Sequence, residues 1–280
     1  MTAEMTPDRW RELRVYRTSP TPRRLAVVNR KGGSGKTTTA VQLAAALAAW
    51  GVRVRITDGD PQLASATYWL TPQRPAGYPT LLDVFSGDCT IREATAPTTV
   101  PGVRIVPSLD TLGRVESERP PGSDTLLAAE YDQDADDVDV EIMDAAPSMG
   151  LVTVSMLTAA THVAVSMKGS TLDYVGAAEL AKPLALIRRR LNPAMTTAAV
   201  VMADTDGATV LSRSLDARLT QEYPDAIVHQ VPHSVRVGEA PGQHQPLIDY
   251  APTNPVTDSY WRLTAALVPA LGLAWKVGPS

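Results

Sequence analysis

The sequence predicts an α/β protein built on a mostly parallel, twisted sheet covered by helices on both faces, and three observations carry that reading. From Arg24 onward, short β-branched runs alternate with Ala/Leu-rich stretches of helical length, the order that lays strands in parallel and returns the chain through crossover helices. A glycine-rich turn, Gly32-Gly33-Ser34-Gly35, joins the first such run to the first such helix. Acidic residues stand at strand ends, at Asp58, Asp60 and Asp144, where ligands gather in open parallel sheets.

The expected strands are Leu25 to Asn29, Val52 to Asp58, Val103 to Pro107, Val138 to Asp144, His162 to Ser166, Ala198 to Ala203 and Ile227 to Val231. Expected helices are Lys36 to Trp50 with Gly51 as its C-terminal cap, Leu172 to Leu191, Ala208 to Tyr223 and Thr257 to Leu271. Pro183 lacks an N–H and should kink or split the second. Residues 71–133 are rich in Pro, Gly and Thr, with one short helix near Leu81 to Phe85, and residues 114–122 read as a loop. Residues 1–23 read as a flexible basic tail with a short helix near Pro7 to Val15, since Arg9, Arg11, Arg14, Arg17, Arg23 and Arg24 face only Glu4, Asp8 and Glu12. Residues 24–280 then form a single domain.

Composition removes several function classes. Lys+Arg 26 against Asp+Glu 30 gives a net charge of −4, which argues against a globally basic nucleic-acid coat and leaves room for a local patch. With 44% hydrophobic and 20% charged residues, the chain is neither disordered nor a rod. Cys89 is the single cysteine, so a disulfide framework, a Cys-rich zinc site and an iron-sulfur cluster within one chain are excluded, and a reducing compartment fits. No apolar run reaches the roughly 18 residues of a membrane span, and the N-terminus has no signal-type apolar stretch. The expected location is cytoplasmic.

The chemistry concentrates in the run Lys31 to Thr39. A phosphate loop of standard form has Gly five positions before Gly35, and Arg30 stands there, so the match is to a variant. Gly32, Gly33 and Gly35, with Ser34 between them, let backbone N–H groups turn inward. The helix beginning at Lys36 adds the positive end of its dipole, giving a cradle for β- and γ-phosphates and an NTPase-like fold. Lys36 neutralises phosphate charge and the Thr37 hydroxyl completes a Mg²⁺ shell, with Asp144 and Asp58 as the acidic metal residues. Pro61 stiffens the turn after Asp60, holding a carboxylate where it can orient or deprotonate an attacking water. Lys31 is a second lysine at the loop mouth, with no required task where Lys36 and a metal already cover the phosphates.

These residues resemble the ParA/MinD group of deviant Walker A ATPases, and Asn29 to Ala40 with Asp58-Gly59-Asp60-Pro61-Gln62 is similar to the ParA branch. Met143 to Pro147 resembles that group's Asp-x-Pro-Pro segment, with Ala146 departing from the first proline. Val231-Pro232-His233-Ser234-Val235-Arg236 and Glu239-Ala240-Pro241 resemble its Ile-Pro-Arg and Glu-Ala-Pro stretches. The resemblance implies ATP/ADP and Mg²⁺ as cofactors and slow, Mg-dependent ATP hydrolysis. It implies a homodimer when ATP-bound, in which Lys31 reaches the partner's phosphates as an arginine finger would. Asp60 is the implied water-activating carboxylate, Thr38 a further phosphate contact, and Pro232 part of the adenine site. The segment Met202-Ala203-Asp204 lacks the asparagine often found beside adenine. The implied function is plasmid or chromosome partition on the nucleoid, through nonspecific DNA binding and hydrolysis stimulated by a ParB-type partner.

Candidates for the DNA surface are Arg188, Arg189, Arg190, Arg213 and Arg218, although arginines closing a helix also complement its dipole. A MinD-like membrane-associated positioning ATPase shares the loop but ends in a basic amphipathic helix. Trp261 to Trp275 is apolar and poor in Lys and Arg, so a core-packing helix explains it better. An ATP-gated adaptor for another cargo shares every residue named so far. Amide-forming synthetases use similar loops with less need of Lys31.

Overall fold

The computed structural model describes residues 5–62, 65–71, 77–134, 137–207 and 209–276. Eight strands form the main sheet: β2 (Arg23–Val28), β3 (Val54–Asp58), β4 (Ala96–Pro97), β5 (Val103–Val106), β6 (Val140–Asp144), β7 (His162–Lys168), β8 (Thr196–Thr205) and β9 (Ile227–Pro232). Their order is β4-β5-β3-β6-β2-β7-β8-β9, parallel throughout except for β4 at one edge. Two short strands, β1 (Val15–Arg17) and β10 (Leu273–Trp275), pair separately and antiparallel. The central parallel strands are buried on both faces, which is why Leu25–Val28 and Val163–Val165 are apolar without alternation.

One face is covered by α2 (Lys36–Ala49), α3 (Ala66–Leu70), α11 (Leu247–Tyr250) and α12 (Pro255–Leu267); the other by α4 (Leu81–Ser86), α5 (Arg114–Glu118), α6 (Ser123–Gln133), α7 (Leu151–Ala159), α8 (Thr171–Arg190) and α9 (Val210–Glu222). Helix α2 ends as the sequence implies, with Gly51 at φ +88°, where a side chain would be strained. Asn254 caps α12 by accepting from Val256 N at 3.1 Å, with Pro255 at its first turn. A short helix, α10 (Arg236–Glu239), follows β9.

The structure corrects three expectations. Helix α8 runs unbroken through Pro183; its apolar face is held by Tyr174, Ala177, Leu180, Leu184 and Ile187, and tertiary packing outweighs one missing N–H. Residues 114–118 are helical rather than a loop, and residues 123–133 form α6. Finally, residues 5–23 are docked rather than a solvated tail. In α1 (Pro7–Glu12), Trp10 is 7% exposed and stacks on Trp261 at 6.0 Å between ring centroids, with planes 6° apart. Trp10 Nε1 donates to Asp258 Oδ1 at 2.9 Å, and Trp50 Nε1 donates to Trp10 O at 2.7 Å. Burying so much aromatic surface outweighs the ordering entropy of a short segment. Residues 1–4 of that expected tail, residues 277–280 and Ala208 lie outside the described residues.

Candidate functional site

Strand β2 lies mid-sheet, and the chain leaves its carboxyl end through residues 29–35 into α2. Asn29 pins that turn: its Nδ2 donates to Ser166 O at 2.6 Å, and its Oδ1 accepts from Lys31 N at 3.1 Å. Ser166 Oγ in turn donates to Ser34 O at 2.7 Å, tying the loop to β7. Gly35 has φ +87°, and a Cβ there would stand 2.9 Å from Ala203 Cβ, so the glycine meets both a conformational and a steric requirement. No side chain caps the start of α2 and no acidic residue sits in its first turn. Its first N–H groups are therefore free for an anion. They open on a cavity of about 670 Å³ lined by every residue from Gly32 to Thr38, with Asp60, Gln62 and Pro232.

The charges around the cradle are mutually perturbed. Lys36 is 5% exposed, and its Nζ donates to Lys31 O at 3.3 Å. Burial lowers its pKa, opposed by the nearby Asp144 and Asp60 carboxylates. Burial also raises Asp60, against the bond its Oδ1 accepts from Gln62 N at 3.0 Å. Asp144 is fully buried and pushed up to about 8 by desolvation and then by repulsion from Asp58. The Thr37 hydroxyl lies near enough to favour its charged form, yet both carboxylate oxygens lack a hydrogen-bond partner. A buried carboxylate without donors, beside a threonine and a lysine at the loop, fits a Mg²⁺ position. Thr37 and Asp144 would hold that ion, directly or through water.

Asp58 is placed differently from expectation. Its Oδ2 accepts from Thr67 N at 2.8 Å and Thr67 Oγ1 at 2.6 Å, and its Oδ1 accepts from Asp60 N at 3.0 Å. Burial lifts its pKa to about 6, against those hydrogen bonds. Asp58 thus organises the turn that carries Asp60, rather than presenting a free oxygen to a metal. Gly59 keeps this turn close to α7: a Cβ there would be 2.4 Å from Met156 Cε.

Lys31 is not part of its own cradle. Its side chain is half exposed, and its Nζ pairs with the buried Asp173 Oδ1 on α8 at 2.6 Å. Neighbouring Arg30 reaches Glu179 on the same helix at 3.5 Å. At the far wall of the cavity stand Lys168, Asp204 and His233; the resemblance set the Met202–Asp204 segment and Pro232 beside adenine, while Lys168 and His233 had no assigned role. Two lie at or beyond the ends of β7 and β9, and that strand-end position was the available signal. Asp204 is held below the usual carboxylate range by its bonds to His233 and Lys168.

A parallel sheet whose central strand feeds a glycine loop with an embedded lysine, above a buried and unpartnered carboxylate, defines a phosphate-loop nucleotide-binding protein. Comparison with known proteins narrows the class. Residues 22–197 match the AAA domain family. The chromosome-partitioning ATPase Soj of Thermus thermophilus is 34% identical over 242 residues, covering 86% of this chain and 93% of that protein. The chromosome partitioning protein ParA of Caulobacter vibrioides is 32% identical over 234 residues, covering 81% and 86%. The chain belongs to this ParA-type family of partition ATPases. Among solved structures, cobyrinic acid a,c-diamide synthase of Mycobacterium smegmatis, with ADP and magnesium, superposes with a TM-score of 0.74 at 25% identity over 88% of this chain and 94% of that one. No described helix is long and apolar enough to cross a membrane, and Trp261 and Leu267 of α12 are buried in the core.

Proposed function

We propose that the chain binds Mg-ATP in the Gly32–Thr38 cradle, pairs with a second copy on that nucleotide, and uses hydrolysis to end the pairing, in the service of plasmid or chromosome partition. The observation that carries this reading is the position of Lys31. Lys36 already serves the chain's own cradle, while Lys31 stands at the mouth on an exchangeable ion pair with Asp173. A second triphosphate brought to that mouth competes with Asp173 for the ammonium. Within each site Lys36 and the N–H groups bind the phosphates, and Asp60 orients the attacking water through a carboxylate fixed by Gln62 N. Magnesium, when bound, would supply charge neutralisation at the transferring phosphoryl group.

Arg188, Arg189 and Arg190 are exposed at the end of α8, and Arg213 is exposed on α9; a pair of chains would present two such sets to a DNA backbone. Arg218 is the weakest of the candidates, since it pairs with Glu222 at 3.2 Å and lies over the Tyr174 ring. A ParB-type partner would act by accelerating hydrolysis.

The test is light scattering with Mg²⁺ and a non-hydrolysable ATP analogue, alongside steady-state hydrolysis. Wild type should double in mass. Lys31→Ala should keep nucleotide binding while losing hydrolysis by about 10³-fold, the scale of a cation supplied in trans. Unchanged turnover in Lys31→Ala would remove the cross-subunit role. Duplex DNA binding by the ATP-bound form should weaken steeply with salt, and its absence at low salt would favour the membrane or adaptor reading.

A further inference from the structure

A carboxylate that directs water must itself be held still, and the turn at residues 58–62 is fixed by its own bonds. Gly59 N donates to Asp144 O at 2.9 Å, which ties the turn to β6. Asp60 N donates to Asp58 Oδ1 at 3.0 Å, and Gln62 N to Asp60 Oδ1 at 3.0 Å. The Asp60 backbone therefore follows the Asp58 carboxylate. That group is planar and wholly buried, so whatever holds its second oxygen sets the direction of the first.

The second oxygen is held from α3. Thr67 N donates to Asp58 Oδ2 at 2.8 Å and Thr67 Oγ1 donates to it at 2.6 Å; the Ser65 hydroxyl is a further donor to the same carboxylate. Thr67 Oγ1 also accepts from Ser108 N at 2.8 Å, just beyond β5. A hydroxyl has a single proton to give, and with the Ser108 N–H pointing at its lone pairs that proton is committed to Asp58. Threonine is β-branched and stiff at χ1, which fixes the direction of the bond. The helix that carries it is anchored in turn: Ala66, Trp69 and Leu70 are buried, and Trp69 Nε1 donates to Gln245 O at 2.8 Å. Resting on the reading of Asp60 as the residue that orients water, we infer that Thr67 is a positioning residue for ATP hydrolysis, acting through Asp58 to set the reach of Asp60. Thr67 stands outside the lining of the cavity and touches no phosphate, so its loss appears in the rate and not in nucleotide affinity. A misplacement of about an ångström in a group that orients a reactant costs on the order of 10²-fold in rate.

The experiment measures single-turnover hydrolysis at saturating Mg-ATP, together with Mg-ATP binding, for wild type, Thr67→Val, Thr67→Ser, Asp60→Ala and the double variant Thr67→Val/Asp60→Ala. Valine copies the shape of threonine without the hydroxyl. Thr67→Val should lose about 10–10²-fold in rate while its Mg-ATP affinity stays that of wild type. Thr67→Ser keeps the proton donor and should recover most of the rate. In the Asp60→Ala background Thr67→Val should cost nothing more, because the residue it positions is gone. Should Thr67→Val not fold, Asp58→Asn reads the same contact from its other end: whichever way the amide turns, it sets an N–H against the N–H of Asp60 or of Thr67, and it should show the same split. Wild-type turnover in the variant used, a loss of affinity as large as the loss of rate, a Thr67→Ser chain as slow as Thr67→Val, or a further loss in the Asp60→Ala background would each overturn the assignment and leave Asp60 in place. Normal turnover in Asp60→Ala alone would instead remove Asp60 from the mechanism, and this assignment with it.

Discussion

Replacing Asp144 by asparagine should make the nucleotide-free chain more stable while abolishing its response to magnesium. Asp144 is buried without a hydrogen-bond partner, and its pKa is raised from 3.8 to about 8. The folded chain holds this proton more tightly than the unfolded chain does. Stability is therefore unaffected by this group below pH 3.8, falls as pH rises through the window up to about 8, and is level above it. At about 1.4 kcal/mol per unit, the burden at pH 7.5 is about 5 kcal/mol as an upper bound. Asparagine needs no proton to stay neutral but buries an amide without partners, at about 1–3 kcal/mol. A net gain of about 2–4 kcal/mol corresponds to a Tm higher by roughly 3–7 °C for a chain of this size. The assay is thermal unfolding in a chelating buffer at pH 5 and pH 7.5, repeated with Mg-ATP at pH 7.5. The Asp144→Asn advantage should be larger at pH 7.5 and vanish against wild type with Mg-ATP, which should stabilise only the native carboxylate. A variant less stable than wild type in chelator at pH 7.5, or an advantage independent of pH, would refute the reasoning.

Two further outcomes are expected. Trp10→Ala should cost about 3–5 kcal/mol by opening a cavity between Trp50 and Trp261; calorimetry showing an unchanged Tm would mean that the N-terminal segment is not part of the folded unit. Asp60→Ala should retain Mg-ATP and the paired state while hydrolysis falls by about 10²–10⁴-fold, the scale of a positioned general base; normal turnover would take Asp60 out of the mechanism.

What could be read in the sequence follows from how local its causes are. The α2 helix and its Gly51 stop, the strand ends at Asp58 and Asp144, and the glycine turn are all fixed by neighbours within a few residues, and each stands where the sequence places it. The docking of Trp10 depends on Trp261 and Asp258, some 250 positions away, so nothing near the N-terminus announces it. Asp58 resembles a metal ligand because it ends a strand, and only Thr67, brought in by α3, shows that its oxygens are already engaged. The pairing of Lys31 with Asp173 of α8 and the convergence of Lys168, Asp204 and His233 at neighbouring strand ends likewise join segments far apart in the chain.

The most direct measurement is a structure of the chain crystallised with Mg²⁺ and a non-hydrolysable ATP analogue. The account predicts phosphates on the N–H groups of Gly32 to Thr38, magnesium between Thr37 and Asp144, and Lys31 withdrawn from Asp173 onto the triphosphate of a facing copy. An empty cradle, or a filled one with Lys31 still bound to Asp173 in an assembled pair, would contradict it.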